Sequence, residues 1–292
     1  MPEFEFEKSR KRKYDVWVNS KYRTELFATG IYSPRRFLEA YQVGVIDDVT
    51  RSKIVSAEIP MADSSMRIAV KSYHPRGITG AIKDLFRPSK AVREFLFAGK
   101  LFAAGLPVPE PLAAMEERRF RRLISCWYFS REVVGAKSVY VLTAGEKTYG
   151  EWPDEVRLLF AKRLGRAAGE AHEKGYAHRD LNMSHMIVTP VDPLRWDSVG
   201  LDVYFADFEG GRLYPRKIAK SLRLRDVSRF MRSFRLFATH PECIAFFKAY
   251  AAGAGENEAS AKDFHDAVFR KLGPPEGTGG ADGAGDAGGG GS

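Results

Sequence analysis

Residues 176–188 read YAHRDLNMSHMIV, and what flanks this stretch restricts the fold more than any other part of the chain. Upstream, DEVRLLFAKRLGRAAGEAHEKG (154–175) places Val156, Leu159, Leu164, Ala167, Ala168 and Ala171 at helical spacing, and Gly175 is a natural stop. Downstream, MIVTP and LDVYFADFE are short apolar runs with the length of strands, and Asp207 follows the second. A polar loop carrying Asp180 thus leads from a long helix into a hairpin that ends in a second carboxylate.

The rest of the chain divides around this unit. RSKIVSAEIP (51–60) and MRIAVKSYH (66–74) alternate apolar and polar residues about MADSS, which predicts a hairpin. SKAVREFLFAGKLFAAG (89–105) predicts a helix with Ser89 as N-cap and Gly105 as stop, and LPVPEP then blocks any continuation. RRLISCWYFSREVV (121–134) reads as one or two buried strands, and the pattern after Pro215 is helical to about residue 251. No internal repeat is visible. The expected fold is α+β: a β-rich lobe over about 40–131, a join near Arg131 to Ala136, and a larger helical lobe over about 136–272. Residues 1–39 are expected to form an N-terminal extension. The last twenty residues hold ten of the 27 glycines and almost nothing that can pack, so 273–292 is expected to be a disordered tail.

Charge narrows the partners. The net charge of +9 favours an anionic one: a nucleic acid, a phosphorylated glycan or an acidic membrane surface. The cations cluster in KSRKRK (8–13) and in RLYPRKIAKSLRLRDVSRFMRSFR (212–235), where nine Lys or Arg face one acid, Asp226. Cys126 and Cys243 form no CxxC pair and no disulfide framework, which fits a reducing compartment. No apolar signal region opens the chain and no run is long enough to span a bilayer. A cytoplasmic protein is expected, with peripheral contact at a membrane left open. No nucleic-acid recognition motif accompanies the charge, and the oligomeric state is not readable.

Phosphoryl transfer needs positioning and cancellation of charge more than covalent chemistry. It asks for a cation on the phosphates, a carboxylate to hold that cation, a metal ligand and a carboxylate at the acceptor hydroxyl. Lys71 ends RIAVK on a predicted strand, and Glu94 lies 23 residues on, on the next helix, where it can pair with Lys71. Asp180 in HRDLNMSH can accept or orient a hydroxyl proton. Asp207, at a strand end, offers the hard oxygen that Mg²⁺ prefers. Each residue alone is unremarkable, but all four stand in the order this chemistry requires.

AHRDLNMSHMIV, AVK, Glu94 and ADFE resemble the protein-kinase-like fold, and more closely the bacterial lipopolysaccharide core kinases that phosphorylate heptose or Kdo. HRDLNMSH is similar to the heptose-kinase variant, whose loop ends in His where protein kinases have Asn, and RLRDVSRFMRSF resembles the basic helix that follows their site. The resemblance covers roughly residues 40–250. It implies ATP between the lobes, with adenine against SREVVGA at Glu132 and Val134, and phosphates under Lys71. It implies Mg²⁺ at Asp207, with His185 as second ligand, and an anionic glycolipid held by Arg212, Arg216 and Lys217. It also implies that His178, Arg179 and Asp226 brace the catalytic loop.

The departures from that pattern are specific. DFE replaces DFG, leaving Gly210 and Gly211 as the nearby sources of backbone freedom. No glycine-rich loop precedes Lys71, so the turn IDDVTRSK would have to meet phosphates through Arg51, Ser52 or Lys53. Nineteen positions separate Asp207 from Asp226, too few for a long activation loop. His185 offers nitrogen instead of an amide oxygen, a poorer match for magnesium and a better one for manganese. Three roles stay open for it: metal ligand, hydrogen-bond partner of Asp180 or a phosphate, or mark of an inactive site. The expected function is ATP-dependent phosphorylation of a lipopolysaccharide inner-core sugar. The alternatives are a kinase of a protein or another acceptor, and an ATP-binding pseudokinase.

Overall fold

The computed structural model describes residues 4–49, 52–62, 64–73, 85, 87–145, 149–190, 192 and 200–273. Arg51, and all of the glycine-rich tail except Gly273, lie outside them.

Seven strands form one antiparallel sheet in the order β1-β2-β6-β7-β5-β4-β3. They are β1 (Phe6–Lys11), β2 (Tyr14–Asn19), β3 (Gln42–Val49), β4 (Ser52–Pro60), β5 (Ser65–Tyr73), β6 (Pro111–Arg119) and β7 (Arg122–Arg131). The expected hairpin is β4–β5, and its register pairs Ile54 with Lys71. β5 in turn pairs Lys71 with Tyr128 of β7, so the lysine sits mid-sheet. Helices α1 (Arg23–Ala28) and α2 (Pro34–Tyr41) cover one face. There Leu26 and Phe37 join Val16, Val18, Val55, Ile68 and Phe129 in a buried cluster.

Residues 1–39 are not an appendage. β2 pairs along β6, Tyr14 opposite Glu117, and the buried side chains of Val16 and Val18 belong to the lobe core. The boundary expected at residue 40 cuts through this lobe, because strand alternation in YDVWVN is completed only by β6, far away in sequence.

Helix α3 (Lys90–Ala103) crosses the other face of the sheet. The Ser89 hydroxyl caps it, accepting from the Val92 N–H at 3.3 Å, and Gly105 ends it at φ 68°. Its buried face, Val92, Phe95 and Ala98, is continuous with the core of the second lobe. That lobe holds α4 (Asp154–Glu173), α5 (Lys220–Phe234), α6 (His240–Gly253) and α7 (Glu258–Leu272). It also carries two small sheets, built from β8 (Lys137–Ser138), β9 (Tyr176–Ala177), β10 (Met186–Thr189), β11 (Asp202–Phe205) and β12 (Arg212–Leu213).

α4 and α6 approach until backbone meets backbone. A Cβ on Gly165 would stand 2.1 Å from the Phe246 carbonyl oxygen, and one on Gly169 would stand 2.2 Å from that of Tyr250. These glycines therefore serve close packing in a helix interior, where glycine otherwise weakens a helix. Among the described residues no helix is long and apolar enough to cross a membrane.

Candidate active site

The site lies where the sheet, α3 and the 176–188 loop converge. Lys71 Nζ stands 3.2 Å from Glu94 Oε1 and 3.7 Å from Asp207 Oδ1. Burial opposes the lysine's charge, but the carboxylates of Glu94 and Asp207 outweigh it and hold its pKa above the ordinary value. Glu94 is itself buried, so each ion needs the other.

Asp207 has a left-handed backbone, φ 54°, just before a short turn at Phe208–Gly210. Burial pushes its carboxyl up, yet Lys71 and His185 bring it below the usual range, so it is ionised. The glycines after it do not supply the freedom expected of them. Gly211 has φ −68°, and what it provides is space, since a Cβ there would stand 2.8 Å from the Phe97 ring. The left-handed residue is the aspartate.

His185 closes the line. Its Nδ1 lies 2.8 Å from the Asp180 carbonyl oxygen, and its Nε2 lies 3.5 Å from Asp207 Oδ2. A carbonyl only accepts, so Nδ1 carries a proton there, and Nε2 is the ring nitrogen turned to Asp207. Asn182 fixes the turn, its Oδ1 accepting from the N–H groups of Ser184 at 2.8 Å and His185 at 3.2 Å. The ring also stacks on His178, 5.4 Å between centroids and 14° between planes. His178 in turn bonds the Ala206 carbonyl oxygen through Nε2 at 2.9 Å, and burial keeps it neutral.

Asp180 is the most open of the set. Arg229, on α5, donates to Asp180 Oδ1 at 2.8 Å and also to the Arg179 carbonyl oxygen. Behind the loop, Asp226 is fully buried and its Oδ2 accepts from the Arg179 N–H at 3.1 Å. Arg179 sits at φ 66°, a conformation costly for a side chain of its size, and this bond helps hold it there. Burial raises the Asp226 carboxyl, but His172 and the Arg179 N–H keep it below the ordinary carboxylate range. His172 is held neutral by burial, with Nδ1 2.8 Å from the Tyr250 hydroxyl and Nε2 3.7 Å from Asp226 Oδ2.

The remaining expected residues divide. Ser52 pairs two positions from Ile54 on β4, so strand alternation places it on the Lys71 face, whereas Lys53 lies on the opposite face. Lys53 therefore starts from the face opposite Lys71, and Arg51 is not described. The Glu132 N–H donates to the Arg67 carbonyl oxygen at 3.0 Å, and the Glu132 side chain accepts from the Ser56 hydroxyl. That N–H is spent within the sheet, whereas Val134 is exposed. Arg212 opposes Ala177 in the β9–β12 pair, three residues before Asp180, and Arg216 is exposed. Lys217 does not join them: it pairs with Glu173 at 3.0 Å and Glu256 at 3.1 Å and donates to the Ala254 carbonyl oxygen. Arg229, Asn182, His172 and Tyr250 were not singled out as site or support residues by the sequence. Their partners lie on other elements, and only the spacing of Arg229 one turn after Asp226 hints at a shared face.

A divalent cation fits this site. Among the described residues Asp207 Oδ1 is buried and accepts no hydrogen bond, and His185 Nε2 lies 3.5 Å from the other oxygen of the same carboxylate. Among the described residues no three His, Cys, Asp or Glu side chains gather as a metal cage. That suits an ion such as Mg²⁺ or Mn²⁺, held by few protein groups together with phosphate oxygens, and not a closed zinc site.

A β lobe and a helical lobe, joined at a strand end and sharing this line of lysine, carboxylates and loop aspartate, form a protein-kinase-like fold. Residues 45–251 match the model of the Lipopolysaccharide kinase (Kdo/WaaP) family, and the chain belongs to that family. It is 27% identical over 148 residues to a 3-deoxy-D-manno-octulosonic acid kinase of Xylella fastidiosa strain M12. It is 28% identical over 148 residues to the protein of the same name from strain 9a5c. Each match takes 50% of this chain and 50% of the relative, so the chain spans about half the length of the curated relatives it matches. A solved structure described as WaaP in complex with acyl carrier protein superposes with a TM-score of 0.50 at 16% identity. That match covers 82% of this chain and 92% of the other, a likeness of fold.

Proposed function

We propose that this chain transfers the γ-phosphoryl group of ATP to a hydroxyl of a lipopolysaccharide inner-core sugar, heptose or Kdo, carried by an anionic glycolipid at a membrane surface. The observation that carries the reading is the unbroken line Glu94–Lys71–Asp207–His185–Asp180, in which each member lies within 4.0 Å of the next. Family membership supports a kinase, and the name of the two curated relatives puts Kdo first among acceptors.

In this reading Lys71, kept charged by Glu94, neutralises the nucleotide phosphates. Asp207 and the Nε2 lone pair of His185 would hold Mg²⁺ or Mn²⁺, which when bound cancels charge on the transferring group. Asp180 orients the acceptor hydroxyl and takes its proton, while Arg229 fixes the carboxylate and leaves its second oxygen for the substrate. Arg212 and Arg216 offer guanidinium groups for acidic groups on the glycolipid.

Phosphate transfer from ATP to purified, dephosphorylated core oligosaccharide tests the reading, with heptose-only and Kdo-bearing acceptors and separate Mg²⁺ and Mn²⁺ arms. Transfer that falls about 10²–10⁴-fold in Asp180→Ala is the expected result. ATP binding with no transfer to either sugar would sink it in favour of another acceptor or a pseudokinase.

A further inference from the structure

The β lobe ends in two hairpin tips that stand side by side. Arg12 and Lys13 turn β1 into β2, and Phe120 and Arg121 turn β6 into β7. Because Tyr14 faces Glu117 across the β2–β6 pair, both tips leave the same end of the sheet. Phe120 has φ 50° and Arg121 φ 66°. A two-residue hairpin turn calls for this left-handed backbone, and Asn-Gly is the sequence that adopts it without strain. A bulky aromatic there is an outlier, and Phe120 is 91% exposed, so burial does not offset the strain.

The surroundings of that ring are cationic. Arg119 lies over it, 5.8 Å from the centroid, while Arg121 and Arg122 form no ion pair among the described residues. Beside the tips opens a cleft of about 530 Å³, whose lining includes Arg12, Arg35, Arg36, Ile124 and Trp127 and one carboxylate, Glu117, which pairs with Lys13 at 3.0 Å. Among the described residues Arg35 and Arg36 likewise form no ion pair and the buried Trp127 Nε1–H has no acceptor. Arginines with no ion pair among the described residues, around the projecting Phe120 and the exposed Ile124, match a flat surface that is anionic outside and apolar beneath. A protein partner calls for a broader apolar patch than these two side chains, and the cationic surroundings favour an anionic surface.

We propose that this end of the β lobe docks the chain on an anionic phospholipid bilayer. Phe120 enters the acyl boundary, and the arginines of the tip and cleft take lipid phosphates. The inference stands whether or not the chain transfers phosphate to a sugar.

The test is co-sedimentation of the full chain with vesicles of phosphatidylcholine containing about one-third phosphatidylglycerol, against phosphatidylcholine alone. Binding to the anionic vesicles only is expected, weakened roughly tenfold or more by Phe120→Ser and about fivefold by each of Arg121→Ser and Arg122→Ser. Both native cysteines are buried, so a Phe120→Cys variant can be labelled with an environment-sensitive fluorophore. Its emission should shift to the blue on vesicles, while a label at exposed Lys262→Cys on α7 should not shift. Undiminished binding of Phe120→Ser, or an unshifted label at position 120, would overturn insertion. So would binding of purified acyl carrier protein through these same residues with no affinity for vesicles, which would make the face a protein-docking surface.

Discussion

His185 and Asp207 face each other across 3.5 Å, with the imidazole proton committed to the Asp180 carbonyl on the far side of the ring. A ring nitrogen and a carboxylate thus converge where an amide oxygen and a carboxylate would suit magnesium better. His185→Asn should shift the metal preference from Mn²⁺ toward Mg²⁺ in ATP turnover. An unchanged Mn²⁺/Mg²⁺ ratio would show that His185 holds no metal.

Lys71 and Glu94 are buried as a pair, and removing one strands the other. Lys71→Met should lower kcat by about 10²-fold or more through lost charge cancellation. It should also destabilise the fold by about 3 kcal/mol, since Glu94 keeps a buried charge. The double variant Lys71→Met/Glu94→Gln should regain most of the stability in urea unfolding and none of the activity.

Acid sensitivity follows from the groups behind the loop. His172 and His178 have pKa values depressed by burial, so the folded chain binds protons less readily than the unfolded one. Their contribution is complete above the unfolded value near 6.5 and is lost as pH falls through the depressed folded values. Asp226, also depressed, contributes above about pH 4 and loses that contribution as pH falls further. Thermal unfolding should show a first loss of stability below about pH 6.5. His172→Gln should reduce that step to the share of His178 and leave the one below pH 4.

Gly165 admits no side chain. With a Cβ 2.1 Å from the Phe246 carbonyl, Gly165→Ala must push α4 and α6 apart. A loss of about 1–3 kcal/mol is expected by calorimetry, although alanine is the better helix former.

Arg212 and Lys217 belong to one basic run and should behave differently. Arg212→Ala should raise KM for the anionic acceptor several-fold. Lys217→Ala should leave KM unchanged and lower the melting temperature, because it removes the partner of Glu173 and Glu256.

By itself the sequence determined what depends on neighbours in the chain. Ser89 and Gly105 mark the two ends of α3 because capping is local. The β4–β5 hairpin follows from alternation, and the order Lys71, Glu94, Asp180, Asp207 follows from motif spacing. Tertiary structure decided what depends on partners far away. β1 and β2 look like a charged extension until β6 pairs with them. The parity of β4 turns Lys53 from the Lys71 face, and Lys217 is drawn to two glutamates on other elements. Arg229 enters the site only because Asp226, one turn earlier on α5, is buried against the loop it supports. Local spacing fixes backbone conformation, but which side chains share a face, and which charge answers another, is set by contacts that form only when the chain has closed on itself.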